Sequence, residues 1–464
     1  MNIELLDENS NKYFYKKIFK IGAPIALAQL MASLLSIIDM FMVSNLGSLA
    51  VDAVGVGAQF AFLLFMIVFG FFTGLAIFIA QYWGSKEINN IHKVFIISLI
   101  IGTIISLIFF VIAVFFPNNL IGLFDHYDTE MKSTLFRNFG TDYLKIAGFA
   151  YFSMTASFAI GILMRSVEKV VYPQIVSIGT VGLNTFLNYL LINGNWGFPV
   201  LGVKGAAIAT TTSSVVGALF LIGYLIFSKE EVLRIKFNEI KNITKHFVAK
   251  LFKKALPVVF NETMWGLGMS FYLIAFAFKG ENLSSIIISN SVMGLFWAFM
   301  SGLSSSCAIM IGKKLGENNL ELSKKWGIKF TKLSFIVGIF LGIMLFFLSN
   351  PISQLFSNLT TDVQESMAMI LKVFSFYITV KFVNVIQIVG TLRAGGDTFY
   401  SLLAEVLPLW LIGVPLAFVL SIYSELPLYL IVAIVNVEEI VKLVLLLLRF
   451  FTFKWVKNLT IETI

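Results

Sequence analysis

The stretch IFKIGAPIALAQLMASLLSIIDMFMVSNL, residues 18–46, decides the fold class. Apart from Lys20, Gln29, Asp39 and a few small polar residues it is apolar throughout. It exceeds the roughly 20 residues that a helix needs to cross a bilayer. Further apolar runs of that length follow along the 464-residue chain, separated by short polar connections. Over the whole chain 58% of residues are hydrophobic and 13% charged, against about 25% charged in soluble proteins. Water-soluble packing cannot hide so much apolar surface. The composition specifies an all-α polytopic membrane protein whose first partner is the lipid bilayer.

Runs of suitable length predict about twelve transmembrane helices, at 16–44, 51–80, 94–116, 139–163, 170–192, 203–227, 250–278, 284–311, 328–348, 366–391, 399–421 and 427–452. The first run is too long for a signal-peptide core, so it is expected to be retained as a span. Basic residues are distributed unevenly. Connections on one side hold only Lys132, Arg137, Lys204 and Lys279. The other side holds Lys16, Lys17 and Lys20, then Lys86 and Lys93, Arg165 and Lys169, a run of eight between Lys229 and Lys254, and Lys313 through Lys329. The positive-inside rule then places both termini in the cytoplasm of a cell (inner) membrane. The net charge of +8 reads as this orientation signal, and no nucleic-acid role is expected. Cys307 is the single cysteine and the histidines number three, which excludes an intrachain disulfide framework and argues against a Cys- or His-built metal centre.

The chain also repeats itself. KKIFKIGAPI (16–25) matches KLFKKALPVV (250–259), and QYWGSKEINNIHK (81–93) matches KKLGENNLELSKK (313–325), glycine over glycine. ILMRSVEKVVYP (162–173) matches GTLRAGGDTFYS (390–401), Arg165 over Arg393. Each half holds six spans, an even number, so the repeats are parallel and related by an axis along the membrane normal. The expected organisation is an N-terminal lobe at 1–227, a basic cytoplasmic linker at 228–249 and a C-terminal lobe at 250–464.

Several stretches resemble one family. PIALAQLMASLLSIIDMFMVSNLGSLAVDAVGVG (24–57) is similar to the opening motif of multidrug and toxic compound extrusion (MATE) transporters. LNTFLNYLLI (183–192), LGVKGAAIATTTS (201–213), GTLRAGGDT (390–398) and EEIVKLVLLLLRFFTFKW (438–455) fit the same family in the same order. The resemblance implies two six-helix lobes in a V shape. It implies export of small organic cations or amphipathic drugs by alternating access, against an inward flow of Na⁺ or H⁺. No cofactor beyond that coupling ion is expected, and the protein is expected to act as a monomer.

Acidic groups at membrane depth then become the candidate site residues, because a charge there costs about 2.5 kcal/mol or more. Asp39 must face a cavity, a partner or a cation, unless it sits at the interface near the end of its helix. Asn184 and Asn188 lie four residues apart on one helix face, and Thr210 adds a hydroxyl. The resemblance implies that these four form the N-lobe cation site, with Asp39 as the Na⁺ ligand if sodium is the coupling ion. Bridging of neighbouring helices is the competing role for the amides. In the C-terminal lobe Glu262 is the matching anomaly. Relatives pair it with an aspartate where this chain has Asn384, three residues before Gln387. Glu262, Asn384, Gln29 and Gln387 are therefore the expected substrate-binding or coupling residues. Superposing Pro24 on Pro257 sets Gln29 against Glu262, so only the C-terminal copy is charged there. Glu405, Glu438 and Glu439 have no evident role from sequence.

A flippase of a lipid-linked precursor is the alternative function, but it calls for several cleft-lining cations and only Lys381 and Lys145 offer themselves. An enzyme is not expected, since the sequence holds no nucleophile motif, no paired catalytic acids with a base and no phosphate-binding loop.

Overall fold

The computed structural model describes residues 7–461 apart from 45, 47, 125–128, 280–282 and 357–359; the side chains at 35–41, 43, 44, 48, 51 and 283 also lie outside the described residues. Every regular element described is helical. In chain order these are α1 (Asn11–Ser44), α2 (Ser48–Ser85), α3 (Ile88–Phe115), the short α4 (Pro117–Gly122), α5 (Glu130–Ala147), α6 (Ala150–Ser166), α7 (Val171–Asn193) and α8 (Val203–Phe227). They continue as α9 (Lys245–Ala277), α10 (Leu283–Gly316), α11 (Leu320–Gln354), α12 (Thr361–Val385), α13 (Thr398–Pro408), α14 (Val414–Tyr423), α15 (Leu428–Val435) and α16 (Val437–Phe451). A π-helical turn, Ile386–Leu392, extends α12, and a second, Leu409–Gly413, joins α13 to α14.

Among the described residues nine helices are long and apolar enough to cross a membrane, and α5 with α6, bent by 47°, makes a tenth span. The bend falls where the sequence predicts one straight helix over 139–163, and Gly148 sits in the break. Two further expected spans correspond to α9 and to α15 with α16. Asn261 and Glu262 lower the apolarity in the middle of α9, and Asn436 divides α15 from α16, so neither passes on length and apolarity alone. Asn261 of α9 and Glu438 and Lys442 of α16 are buried.

Local chemistry explains the helix ends. Ser10 Oγ accepts from the Tyr13 N–H at 3.1 Å, an N-cap that starts α1. Asn319 caps α11 through Leu322 N at 3.2 Å. Helix α7 stops at Gly194, whose φ of 70° is open to glycine at little cost.

The internal repeat is visible in these turns. Lys86 and Asn318, each two residues after the matched glycine, both have positive φ, at 62° and 59°. Glu168 and Gly396, each three residues after the matched arginine, do the same at 66° and 74°. The next N–H in each case reaches back to a carbonyl five residues earlier, Lys169 to Met164 at 2.8 Å and Asp397 to Leu392 at 2.9 Å. These are the closing bonds of Schellman motifs. The two halves therefore share turn geometry as well as sequence.

Packing divides the chain into two compact units. One comprises Met1–Ala26, Ala80–Lys86 and Ala249–Ile464, the other Leu27–Ile79 and Glu87–Val248. In the second, α8 packs on α5, α6 and α7, and α3 packs on α6. The basic stretch after α8 folds onto this unit. Val232 and Leu233 are buried, His92 Nε2 lies 3.2 Å from the Val232 carbonyl oxygen, and Lys169 pairs with Glu230 at 2.5 Å. In the first unit α12 packs on α10, α11, α15 and α16, and α13 packs on α16.

Within that first unit, the start of α1 and the end of α2 lie against α10. A Cβ at Gly84 would collide with the Lys313 carbonyl oxygen, and one at Gly316 with the Gln81 carbonyl oxygen. These are the two glycines that the repeat superposes. Their missing side chains let two helix backbones touch. Gln81 fixes the junction, donating to the Ala394 carbonyl at 2.7 Å and accepting from Leu459 N at 2.6 Å.

Candidate functional site

The N-terminal candidates come from α7 and α8, which pack side by side. Asn188 Nδ2 donates to Asn184 Oδ1 at 3.3 Å, as their four-residue spacing on one face requires. Asn184 Nδ2 donates to Thr210 Oγ1 at 3.3 Å, so the chain of polar groups crosses from α7 to α8. The Tyr143 hydroxyl of α5 also bonds Thr210. Asn188 is buried, while Asn184 and Thr210 are half-buried. Apolar walls close around Tyr143, from Ala50, Ala147, Ile192, Val203, Ala206 and Ala207, with Met42 and Leu46 from the end of α1 and the residues just after it packed against them. The three expected residues Asn184, Asn188 and Thr210 are thus joined. Asp39 belongs to α1, but its side chain lies outside the described residues. Gln29, also on α1, is half-buried, and its carbonyl oxygen accepts from Ser33 Oγ at 3.0 Å.

The C-terminal candidates belong to a larger network than the sequence indicates. Glu262 Oε1 lies 2.6 Å from Arg393 Nη1, and Arg393 Nη2 lies 3.9 Å from Glu405 Oε2. Asn261 Nδ2 donates to the same Glu405 oxygen at 2.5 Å. α9, α13 and the segment after α12 therefore meet at one guanidinium whose side chain is 3% exposed. Glu262 is consequently a paired carboxylate, not a free one.

Asn384, standing where relatives are expected to have an aspartate, binds an acid from another helix. Its Nδ2 donates to Glu439 Oε2 at 2.8 Å and to the Glu439 carbonyl at 2.9 Å. Glu439 Oε1 lies 3.5 Å from Lys442 Nζ, and Glu438 Oε2 lies 2.8 Å from it. Gln387 joins neither group. It is fully buried in the π turn, donating to Thr331 Oγ1 at 2.7 Å and accepting from Thr391 Oγ1 at 2.7 Å. Among the described residues no three His, Cys, Asp or Glu side chains are placed to hold a metal ion.

Sequence reasoning left Glu405, Glu438 and Glu439 without partners and passed over Lys442. The EEIVK spacing at 438–442 does carry a signal, since i, i+3 and i, i+4 positions are neighbours on a helix. The repeat-related arginines meanwhile differ. Arg393 binds two acids, whereas Arg165 lies over the Phe158 ring at 5.6 Å.

The sequence profile of the MatE family matches the chain twice, at residues 24–190 and 257–419. The two matches begin at Pro24 and Pro257, the prolines that the internal repeat superposes. The chain is similar to the "Uncharacterized transporter YisQ" of Bacillus subtilis, 24% identical over 387 residues and covering 83% of each chain. It is also similar to the "Probable multidrug resistance protein NorM" of Thermotoga maritima, 24% identical over 464 residues, covering 96% of this chain and 93% of the other. Among solved structures, one described as a MATE in the straight conformation superposes with a TM-score of 0.84 at 18% identity, covering 95% of this chain and 97% of that one.

Proposed function

Because the chain belongs to the MatE family and is a multi-span membrane protein, we propose that it is a cation-coupled antiporter that exports organic cations or amphipathic compounds from the cytoplasm by alternating access. The observation that carries this reading is the Asn188–Asn184–Thr210 chain of uncharged oxygens and amides across α7 and α8. Such oxygens are the ligands that a hard monovalent cation takes, as other hard cations do. Asp39 supplies the one negative charge of this site, and with a single acid the site suits one monovalent ion. The relatives' description as multidrug resistance proteins supports the class of cargo. Both termini face the cytoplasm on this reading, and the inward ion gradient does the work, at about 2.3 kcal/mol per charge per 100 mV.

The test is ethidium efflux from proteoliposomes under separately imposed Na⁺ and pH gradients. Wild-type protein extrudes the dye under at least one of them. Asp39→Asn inserts normally but loses gradient-driven efflux. Wild-type rates from Asp39→Asn would end the proposed coupling.

A further inference from the structure

Charge in the C-terminal part of the first unit does not balance. Glu262, Glu405, Glu438 and Glu439 are set against Arg393, Lys442 and the more remote Lys381, leaving one acid in surplus. Part of this cluster lies where α16 meets α9 and α12, with Lys381 acting on it from farther off. There two carboxylates share one ammonium. Lys442 Nζ lies 2.8 Å and 3.0 Å from the two oxygens of Glu438 and 3.5 Å from Glu439. The Glu438 and Lys442 side chains are 4% and 3% exposed.

Two other buried groups point into this cluster without a full set of partners. The Tyr272 hydroxyl of α9 faces Glu438 and makes no complete hydrogen bond, and the Tyr272 residue is 9% exposed. It fits only because residue 413, in the π turn, is glycine. A Cβ there would collide with the Tyr272 hydroxyl and come within 3.1 Å of Glu438 Cγ. Asn384, 2% exposed, gives its amide hydrogens to Glu439 while its Oδ1 has no donor among the described residues. The cluster is thus short of one proton as a donor, and its two carboxylates have a single ammonium in contact.

We propose that Glu438 and Glu439 are a proton-binding site, the pair holding one proton between them while Lys442 balances the charge that remains. Two like charges in a site of low dielectric cannot both ionise cheaply, and the proton belongs to the pair jointly. The Lys442 ammonium is the cation in contact with both carboxylates. Other titratable or charged groups on the packed elements are accounted for. Tyr272 comes from α9, Lys381 from α12, Glu405 from α13, and Lys442 from α16 itself. Tyr377 of α12 and Tyr400 of α13 give their hydroxyls to the Ala433 and Leu445 carbonyls, and Arg449 pairs with Asp397. The π turn 409–413 has no titratable side chain. The assignment does not depend on what is exported.

The experiment needs no transport substrate. Dicyclohexylcarbodiimide modifies carboxyls that are protonated in apolar surroundings, and peptide mass spectrometry locates the adduct. In purified wild-type protein the 438–439 peptide labels at neutral pH. Labelling falls about tenfold per pH unit above a midpoint that lies higher than for Glu321, whose side chain is 85% exposed. Glu438→Gln and Glu439→Gln each leave one acid balanced by Lys442, so neutral-pH labelling of the remaining acid is lost. Lys442→Met moves the midpoint up, and Lys442→Arg restores it. If a glutamine variant does not fold, the wild-type pH curve still decides. A midpoint equal to that of Glu321, unchanged labelling in both glutamine variants, or protection by Na⁺ at constant pH would each overturn the assignment.

Discussion

Helix α10 carries glycines with opposite demands, and one substitution made at each tests the packing argument. At Gly294 a new Cβ meets nothing within 4 Å. Alanine there gains about 0.8–1.0 kcal/mol of helix propensity, and with nothing opposing it the protein is stabilised. At Gly302 the same Cβ would stand 2.7 Å from the Gly22 carbonyl oxygen and 2.9 Å from Ala26 Cβ, and at Gly316 it would collide with the Gln81 carbonyl. Backbone atoms of a neighbouring helix cannot rotate away as a side chain can. Overpacking of about 1–3 kcal/mol, towards its upper end, exceeds the propensity gain, leaving a net loss of about 1–2 kcal/mol. At about 2–4 °C per kcal/mol for a body of this size, Gly294→Ala raises the melting temperature by a few degrees, and Gly302→Ala and Gly316→Ala lower it. The protein carries its own reporter. Cys307, the sole cysteine, is fully buried on this same helix, so a fluorogenic maleimide reacts only as the region opens on heating in detergent. Equal shifts at Gly294 and Gly316 would refute the claim that the α2–α10 junction is set by backbone contact.

The same assay reads the Arg393 network. Glu262→Gln leaves Arg393 with Glu405 3.9 Å away, whereas Arg393→Met strands two largely enclosed acids around a buried position. Breaking a buried pair costs about 3–5 kcal/mol, so Arg393→Met is the more damaging change, and the opposite order would contradict the pairing. On the surface, the Lys236–Glu231 pair at 2.8 Å has side chains 48% and 63% exposed. Glu231→Gln leaves the melting temperature nearly unchanged, and a clear loss would mean that the stretch after α8 holds its unit together more than the contacts account for.

The lipid environment made the spans legible. A helix that must bury its backbone polar groups in hydrocarbon can be written only as a long apolar run, and the repeat in those runs survives in the turns, at Lys86 with Asn318 and at Glu168 with Gly396. Asn184, Asn188 and Thr210 were legible for a related reason. Two share a helix face, and the third lies on the helix that follows directly. The partners of the acids of the C-terminal part were not. Glu262 and Arg393 are 131 residues apart (262 to 393), and no local pattern says which of several cations a buried glutamate takes. Gln387 illustrates the converse. Its place beside Asn384 in sequence suggested a shared site, but the π turn aims it at Thr331 of α11.

The division of charge between the two halves is the more consequential result. Superposing the repeats sets Gln29 against Glu262 and Arg165 against Arg393, so the N-terminal copy has neither an acid at the first position nor, at the second, the carboxylates that Arg393 binds. What it has instead is a row of neutral oxygens and amides. On the proposed function these neutral groups and Asp39 take up a cation from solvent and release it. In the C-terminal copy the carboxylates are held by an arginine and a lysine that cannot leave, and the proposed exchangeable ion is a proton. Two halves of common descent have thereby become unequal. On the proposed mechanism this gives one molecule two cation-dependent sites of different chemistry. Lys442→Met separates them: it shifts the pH dependence of the C-terminal labelling and leaves the Na⁺ dependence of efflux, where wild type shows one, unchanged. A change in both together would mean that the halves do not act through separate ions.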